Sequence, residues 1–236
     1  MADEYLSTLT ERLAPQHTAI VVVDAQNDFC EPEGAATRNA REGGSLYNGE
    51  SLEVNLPGLL AAARRAGAWL VFVRVINDPV YLSPPCKERL DRAGILGNAL
   101  LEGTWGADYW RDFRPVPGNP RELEIVKHRY SAFTGTNFDQ LMKSNGIKTL
   151  AFTGLATSGC VESSARDALF HDYYSVMVSD CVADGDRESH DAALRKFART
   201  FGDVVDSREV VGAWQSEAAA GGAAQGGASG AVSQSS

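Results

Sequence analysis

A chain of 236 residues, 44% of them hydrophobic, can bury a full core, and its length favours one domain of α/β size over two small ones. Its net charge of -9 sets 31 acidic residues against 22 scattered basic ones, which argues against nucleic acid or an anionic membrane as partner. No apolar run approaches the roughly 18 residues needed to span a bilayer, and the start Met-Ala-Asp-Glu-Tyr lacks a secretory pattern, so a cytoplasmic location is expected.

In chain order, Thr18 to Val23 is a continuous apolar run ending on Asp24, as expected of a parallel strand buried on both faces. A Gly-rich polar excursion follows from Glu31 to Gly49. Asn55 can cap a helix with Pro57 in its first turn and Gly67 as its stop. Trp69 to Val75 is the next strand, and strand, helix, strand of this length makes a parallel crossover. Residues 77–120 are punctuated by six prolines, with a short helix over Lys87 to Ala93 and a loop at Thr104-Trp105-Gly-Ala; a loop region of this length is expected to shape a pocket.

Leu123 to Lys127 reads as a third strand, ending on a cation. Thr136 to Asn145 is helical with Gly146 as its stop. The β-branched run from Thr149 breaks at Gly154, and from Val161 apolar residues recur at helical spacing (Val161, Ala165, Ala168, Leu169). Tyr174 to Ser179, a helix capped by Asp186, and Asp203 to Asp206 complete the alternation. It predicts a three-layer α/β/α sandwich on a mostly parallel, Rossmann-like sheet of about six strands. Residues 216–236 are almost all Ala, Gly, Ser and Gln and read as a disordered tail, leaving residues 1–215 as the folded domain.

The four cysteines (Cys30, Cys86, Cys160, Cys181) form no C-x-x-C pair, so neither a disulfide framework nor a thiolate zinc site is indicated. Cys160 sits at or just before a helix start, where unpaired N–H groups favour an anion. Only the thiolate is a strong nucleophile. Bringing an ordinary thiol pKa to neutrality requires about 2 kcal/mol, and a helix terminus gives about 0.3–1, so a cationic neighbour is expected. A cysteine in an apolar setting is equally a small core residue, and its partners decide between the two readings. In open parallel sheets the ligand crevice lies outside the carboxyl ends of the strands. Asp24, Lys127 and the turn leading to Cys160 each fall at such an end, and they supply a base, a cation and a nucleophile.

The segments Val23-Asp24-Ala-Gln26-Asn27-Asp28-Phe29, Lys127-His-Arg-Tyr130-Ser131-Ala-Phe133 and Gly154-Leu-Ala-Thr157-Ser-Gly-Cys160-Val161, with Arg166-Asp167-Ala168, together resemble the isochorismatase-like cysteine hydrolases over roughly residues 15–212. The resemblance implies an Asp24, Lys127, Cys160 triad and a cis peptide before Ala156, with the N–H groups of Ala156 and Cys160 forming an oxyanion hole. It implies cleavage of a C–N bond in a small amide or ureido compound through a thioester, releasing ammonia, without a cofactor. Phe29, Tyr130 and Trp105 are expected to bind substrate, and a homodimer or homotetramer is expected. Nicotinamidase-type members carry an Asp and two His as metal ligands after the second strand. Here that segment is Val75-Ile-Asn77-Asp78-Pro-Val-Tyr81, so no metal is expected. Within the family, the Lys127 to Phe133 and Glu102 to Ala107 stretches are similar to ureidoacrylate amidohydrolases, while the Thr-Ser-Gly-Cys turn is more like N-carbamoylsarcosine or maleamate amidohydrolases. Vinyl ether hydrolysis and a catalytically silent binding protein on the same fold are the alternatives.

Overall fold

Six consecutive residues, Thr18–Val23, are buried on both faces and form β1, against which the rest of the sheet is laid. The computed structural model describes residues 5–40 and 46–226. On one side of β1 lie β2 (Trp69–Val75) and β3 (Glu122–Lys127). On the other lie β4 (Thr149–Leu155), β5 (Tyr174–Ala183) and β6 (Asp203–Val205). Every pairing among these described strands is parallel, in the order β3-β2-β1-β4-β5-β6. The chain walks outward from β1, returns to lay β4 against its other edge, and walks out the opposite way, which opens a crevice above the carboxyl ends of β1 and β4.

The helices are α1 (Leu9–Arg12), α2 (Asn27–Cys30), α3 (Ala35–Ala40), α4 (Gly49–Ala66), α5 (Pro84–Arg92), α6 (Phe138–Ser144), α7 (Glu162–Phe170), α8 (Arg187–Thr200) and α9 (Ser207–Gly226). Side chains alternate across a strand. Ile20 and Val22 therefore face one layer, with Leu52, Leu56, Leu59 and Leu60 of α4 and Trp214 of α9. Ala19, Val21 and Val23 face the other, with Phe138 and Met142 of α6, Ala165 of α7 and Phe197 of α8. The predicted sandwich is the observed one.

Three local expectations are corrected. Helix α4 begins at Gly49 rather than Asn55, so Pro57 lies inside it. Proline there removes one hydrogen bond, but Leu52 and Leu56, both fully buried, belong to the same apolar stripe as Leu59 and Leu60, and each contributes about 1.5–3 kcal/mol by burial. The Glu31 to Gly49 excursion contains α3, while residues 41–45 lie outside the described residues. Leu169, expected to face inward, is 40% exposed at the end of α7. Helix α9 runs to Gly226, and residues 227–236 lie outside the described residues. No helix among the described residues is long and apolar enough to cross a membrane.

Candidate active site

Asp24 follows β1 directly and turns the chain off the sheet with a φ of 49°, a left-handed conformation that Asp tolerates better than most residues. Its backbone N–H donates to Val73 O at 2.9 Å, which ties the turn to β2. Its carboxylate is buried (1% exposed) and accepts from Lys127 Nζ at 2.7 Å on Oδ2. Lys127, the last residue of β3, lies two strands away from β1, and strands sit about 4.8 Å apart. A long side chain must therefore cross the end of β2, where Val75 pairs with Lys127 in register. The ammonium also donates to Arg129 O at 2.9 Å, and the whole side chain is buried.

Cys160 comes from the far side of β1. Strand β4 reaches the crevice through Gly154, whose φ is +96° and where a Cβ would lie 2.0 Å from Val23 O, so only glycine permits this approach of the two central strands. The Leu155–Ala156 peptide is cis, at the position the resemblance implied. A wide turn, Thr157–Val161, carries Cys160 into the crevice before α7 begins at Glu162, with Gly159 well outside helical geometry. Ala156 O accepts from the N–H groups of Gly159 (2.9 Å) and Val161 (3.2 Å), which closes the turn. Cys160 is thus in a turn ahead of the helix and not in its first turn.

The three side chains act on one another strongly. Burial pushes Asp24 above the ordinary carboxylate range, with the Lys127 ammonium and the Cys160 thiol opposing it. Burial disfavours the charged Lys127, but the Asp24 carboxylate and the Cys160 sulfur outweigh it and hold the amine protonated. Burial and the neighbouring carboxylate push the Cys160 thiol up to about 12, against the pull of Lys127. The expected lowering of the thiol pKa is therefore not what the site builds: the negative carboxylate and the dry surroundings outweigh the cation. Asp24 Oδ1 accepts no ordinary hydrogen bond, which leaves one lone-pair site of a buried carboxylate open beside a neutral thiol. Such a pair can pass a proton from sulfur to oxygen while the ammonium keeps the sum of charge in balance.

An isochorismatase domain model matches residues 18–209, the whole of the sheet and both sides of this crevice. The chain belongs to the isochorismatase family. It is 32% identical over 206 residues to a ureidoacrylate amidohydrolase of Serratia proteamaculans, covering 82% of this chain and 81% of that protein. A cysteine hydrolase from Pseudomonas syringae pv. phaseolicola has the same fold, with a TM-score of 0.76 at 22% identity over 92% of this chain and 99% of that one. An isochorismatase-like hydrolase from Alkaliphilus metalliredigens gives 0.69 at 27% identity, over 84% and 98%.

Other residues of this isochorismatase-family site are placed less centrally. Phe29 is half-buried and packs between the main core and a small cluster of Ala35, Val75, Ala99 and Leu100. Trp105 and Tyr130 are 55% and 51% exposed. Arg74 is taken up by Glu124, whereas Arg129 Nη1 donates to the neighbouring His128 O. His128 donates from Nδ1 to Ile76 O and stacks on Tyr81. After β2, Asn77 donates to Ala99 O and Asp78 accepts from Val80 N–H. Among the described residues no three His, Cys, Asp or Glu gather as a metal site would require. Those residues do not fit the Asp and two His metal set of the nicotinamidases.

The reading from sequence missed the residues that brace the crevice. Gln26 donates to the carbonyls of Val75 and Ala107 and accepts from Val75 N–H, clamping the ends of β1 and β2 to the loop at 105–107. Asp28 accepts from Ala35 N–H and Leu100 N–H, and a Cβ on Gly106 would strike its carboxylate. Ser164 donates to Cys160 O at 2.7 Å and accepts from Ala132 N–H at 2.9 Å, joining the cysteine turn to the segment after Lys127. Gln26 and Asp28 stood inside a quoted motif, so their signal was present; Ser164 gave none, because a serine one turn into a helix is ordinary.

Proposed function

We propose that this chain is a cysteine amidohydrolase that cleaves a C–N bond of a small amide or ureido compound. The observation that carries the reading is the buried Lys127–Asp24 pair at 2.7 Å, set beside the Cys160 thiol at the ends of three different strands. It is a hydrolase acting on C–N bonds of linear amides, in keeping with its relatives. Of the alternatives, vinyl ether cleavage has no use for a sulfur nucleophile, and a silent binding protein has no use for a buried ion pair that leaves a carboxylate oxygen free.

Asp24 Oδ1 takes the thiol proton as the sulfur attacks the substrate carbonyl, forming a C–S bond and placing the carbonyl electron pair on oxygen. The N–H groups of Ala156 and Cys160 stabilise that oxyanion, a device worth about 2.7–4 kcal/mol per donor. The intermediate collapses with breakage of the C–N bond, and Asp24 returns its proton to the departing nitrogen. Water then gives a proton to Asp24 and attacks the thioester, and the sulfur leaves with that proton. Lys127 stays charged throughout and holds whichever partner is anionic. Ammonia is released directly from a primary amide, or after breakdown of the carbamate from a ureido compound.

Phe29, Trp105 and Tyr130 are proposed to contact the rest of the substrate. A homodimer or homotetramer is proposed, in keeping with Val80, Tyr81, Trp105 and Tyr130 lying exposed. The four free cysteines suit a reducing cytoplasmic setting. An ammonia-release screen over ureidoacrylate, carbamoyl amino acids, maleamate and simple amides tests the reading, with Cys160→Ala as control. We expect release from at least one ureido or amide acid and none above background in the variant; release that survives Cys160→Ala would overturn the reading.

A further inference from the structure

The turn that carries Cys160 is irregular: Gly159 lies outside helical geometry, and the N–H of Glu162, the first residue of α7, reaches back to the carbonyls of Thr157 and Gly159. Asp24 and Lys127 approach it from the β1 side, and the β5 side grips it separately. Ser158 N–H donates to Asp184 Oδ2 at 2.6 Å. Asp184 is itself fixed, because its N–H and C=O both pair with Tyr47 (3.1 and 2.9 Å). Thr157, fully buried, has its Oγ1 3.1 Å from Ala183 O and 2.9 Å from His190 Nδ1.

A hydroxyl has one proton, and a carbonyl can only accept. If both contacts of Thr157 Oγ1 are hydrogen bonds, its proton goes to Ala183 O and His190 Nδ1 carries the proton donated to the hydroxyl. His190 begins the buried stripe of α8, His190, Ala193 and Phe197, and Tyr47 packs edge-on against its ring at 5.1 Å. Burial holds its pKa below the ordinary histidine value, which favours the neutral ring, and its Nδ1–H tautomer supplies the donor that the hydroxyl accepts. No step of the chemistry above uses this buried polar pair.

We infer that Thr157 and His190 are positioning residues that fix the backbone donors of the oxyanion hole. Thr157 lies between the two donors, immediately after Ala156 and three residues before Cys160, so a shift of Thr157 moves both N–H groups relative to the carbonyl oxygen. The inference rests on the amidohydrolase reading, and it adds that the oxyanion donors are held from the side of the sheet opposite the carboxylate and the ammonium. A group acting in this way changes the transition state and leaves substrate binding and sulfur reactivity alone.

The test uses the full chain and the best substrate of the ammonia screen. Thr157→Val, nearly isosteric, removes the hydroxyl; His190→Leu removes its donor; Thr157→Ser and His190→Asn put a hydroxyl and an N–H donor back in the same places. We expect kcat to fall roughly 10- to 100-fold in Thr157→Val and His190→Leu with KM within about twofold, and to recover most of the loss in the two conservative variants. Alkylation of Cys160 by iodoacetamide, which needs no oxyanion donor, should keep its wild-type rate when followed on the Cys160 peptide. Combining Thr157→Val with His190→Leu should cost little more than either alone, because both cut the same linkage. A folded Thr157→Val enzyme with wild-type kcat overturns the inference, whether or not His190→Leu folds. So does a fall in Cys160 alkylation parallel to that in kcat, since the sulfur itself would then be displaced. Absence of ammonia release from the wild-type chain overturns the amidohydrolase reading, and this inference falls with it.

Discussion

At the sulfur of Cys160 the protein does not hold a standing thiolate. Burial and the Asp24 carboxylate keep the proton on, and the same burial makes Asp24 a stronger base than an exposed aspartate. In the proposed mechanism the proton moves only when a carbonyl is in place to be attacked, which would spare the thiol from oxidation at rest. In the proposed reaction Asp24 must be ionised to accept the proton, and its pKa is raised, so kcat/KM should fall as pH drops through a value above the ordinary carboxylate range. On the alkaline side Lys127 is held protonated and the thiol is pushed up to about 12, so neither group should end activity near pH 8 to 9. A pH profile of kcat/KM checks this: a rise only above pH 9 would mean that free thiolate, not a carboxylate-bound proton, limits the reaction. The three groups titrate together, and the limbs belong to the set and not to one residue.

Among the elements, β4 and α4 show opposite uses of a helix- and strand-breaking residue. Gly154 is required: its left-handed φ and its contact with Val23 bring β4 close enough to β1 for Cys160 and Asp24 to share a crevice. Pro57 is merely tolerated. It sits on the exposed face of α4, where its missing N–H leaves the Glu53 carbonyl without its helical donor while the buried leucines on the opposite face keep the helix whole. Pro57→Ala should therefore raise stability by about 1–3 kcal/mol, measured by urea unfolding, with kcat unchanged. A loss of stability would show that the proline sets a bend on which the packing of α4 depends.

For the molecule as a whole, the sheet order makes the active crevice the seam between two halves. One half, β1 to β3, supplies the carboxylate and the ammonium; the other, β4 to β6, supplies the cysteine and the backbone donors proposed for the oxyanion. Helix α9 closes the far layer by burying Val210, Ala213 and Trp214, whose indole N–H donates to Leu13 O at 2.6 Å. The last of these contacts precedes residue 215, the boundary proposed for the folded domain. A chain ending at Gln215 should melt within about 2 °C of the full protein and keep its kcat, because the remaining Ala, Gly and Ser residues have little apolar surface to bury. A fall in Tm of more than about 5 °C would show that the later turns of α9 are part of the fold.

Sequence alone was enough for the alternation of strand and helix, because apolar periodicity is set by which faces are buried, and enough to put Asp24, Lys127 and Cys160 at strand ends. Its limits lie where distant groups decide an outcome. The start of α4 depended on a buried leucine stripe outweighing a proline signal. The ionisation of Cys160 depended on how deeply it and Asp24 sit together, which a helix start read by itself points the wrong way. Nothing in the local pattern around His190 marks it as a partner of Thr157; the tertiary structure sets the two side by side. Local pattern records each residue's own preference, whereas desolvation and charge act through space between residues as far apart as Asp24 and Lys127, and only the folded chain fixes those separations.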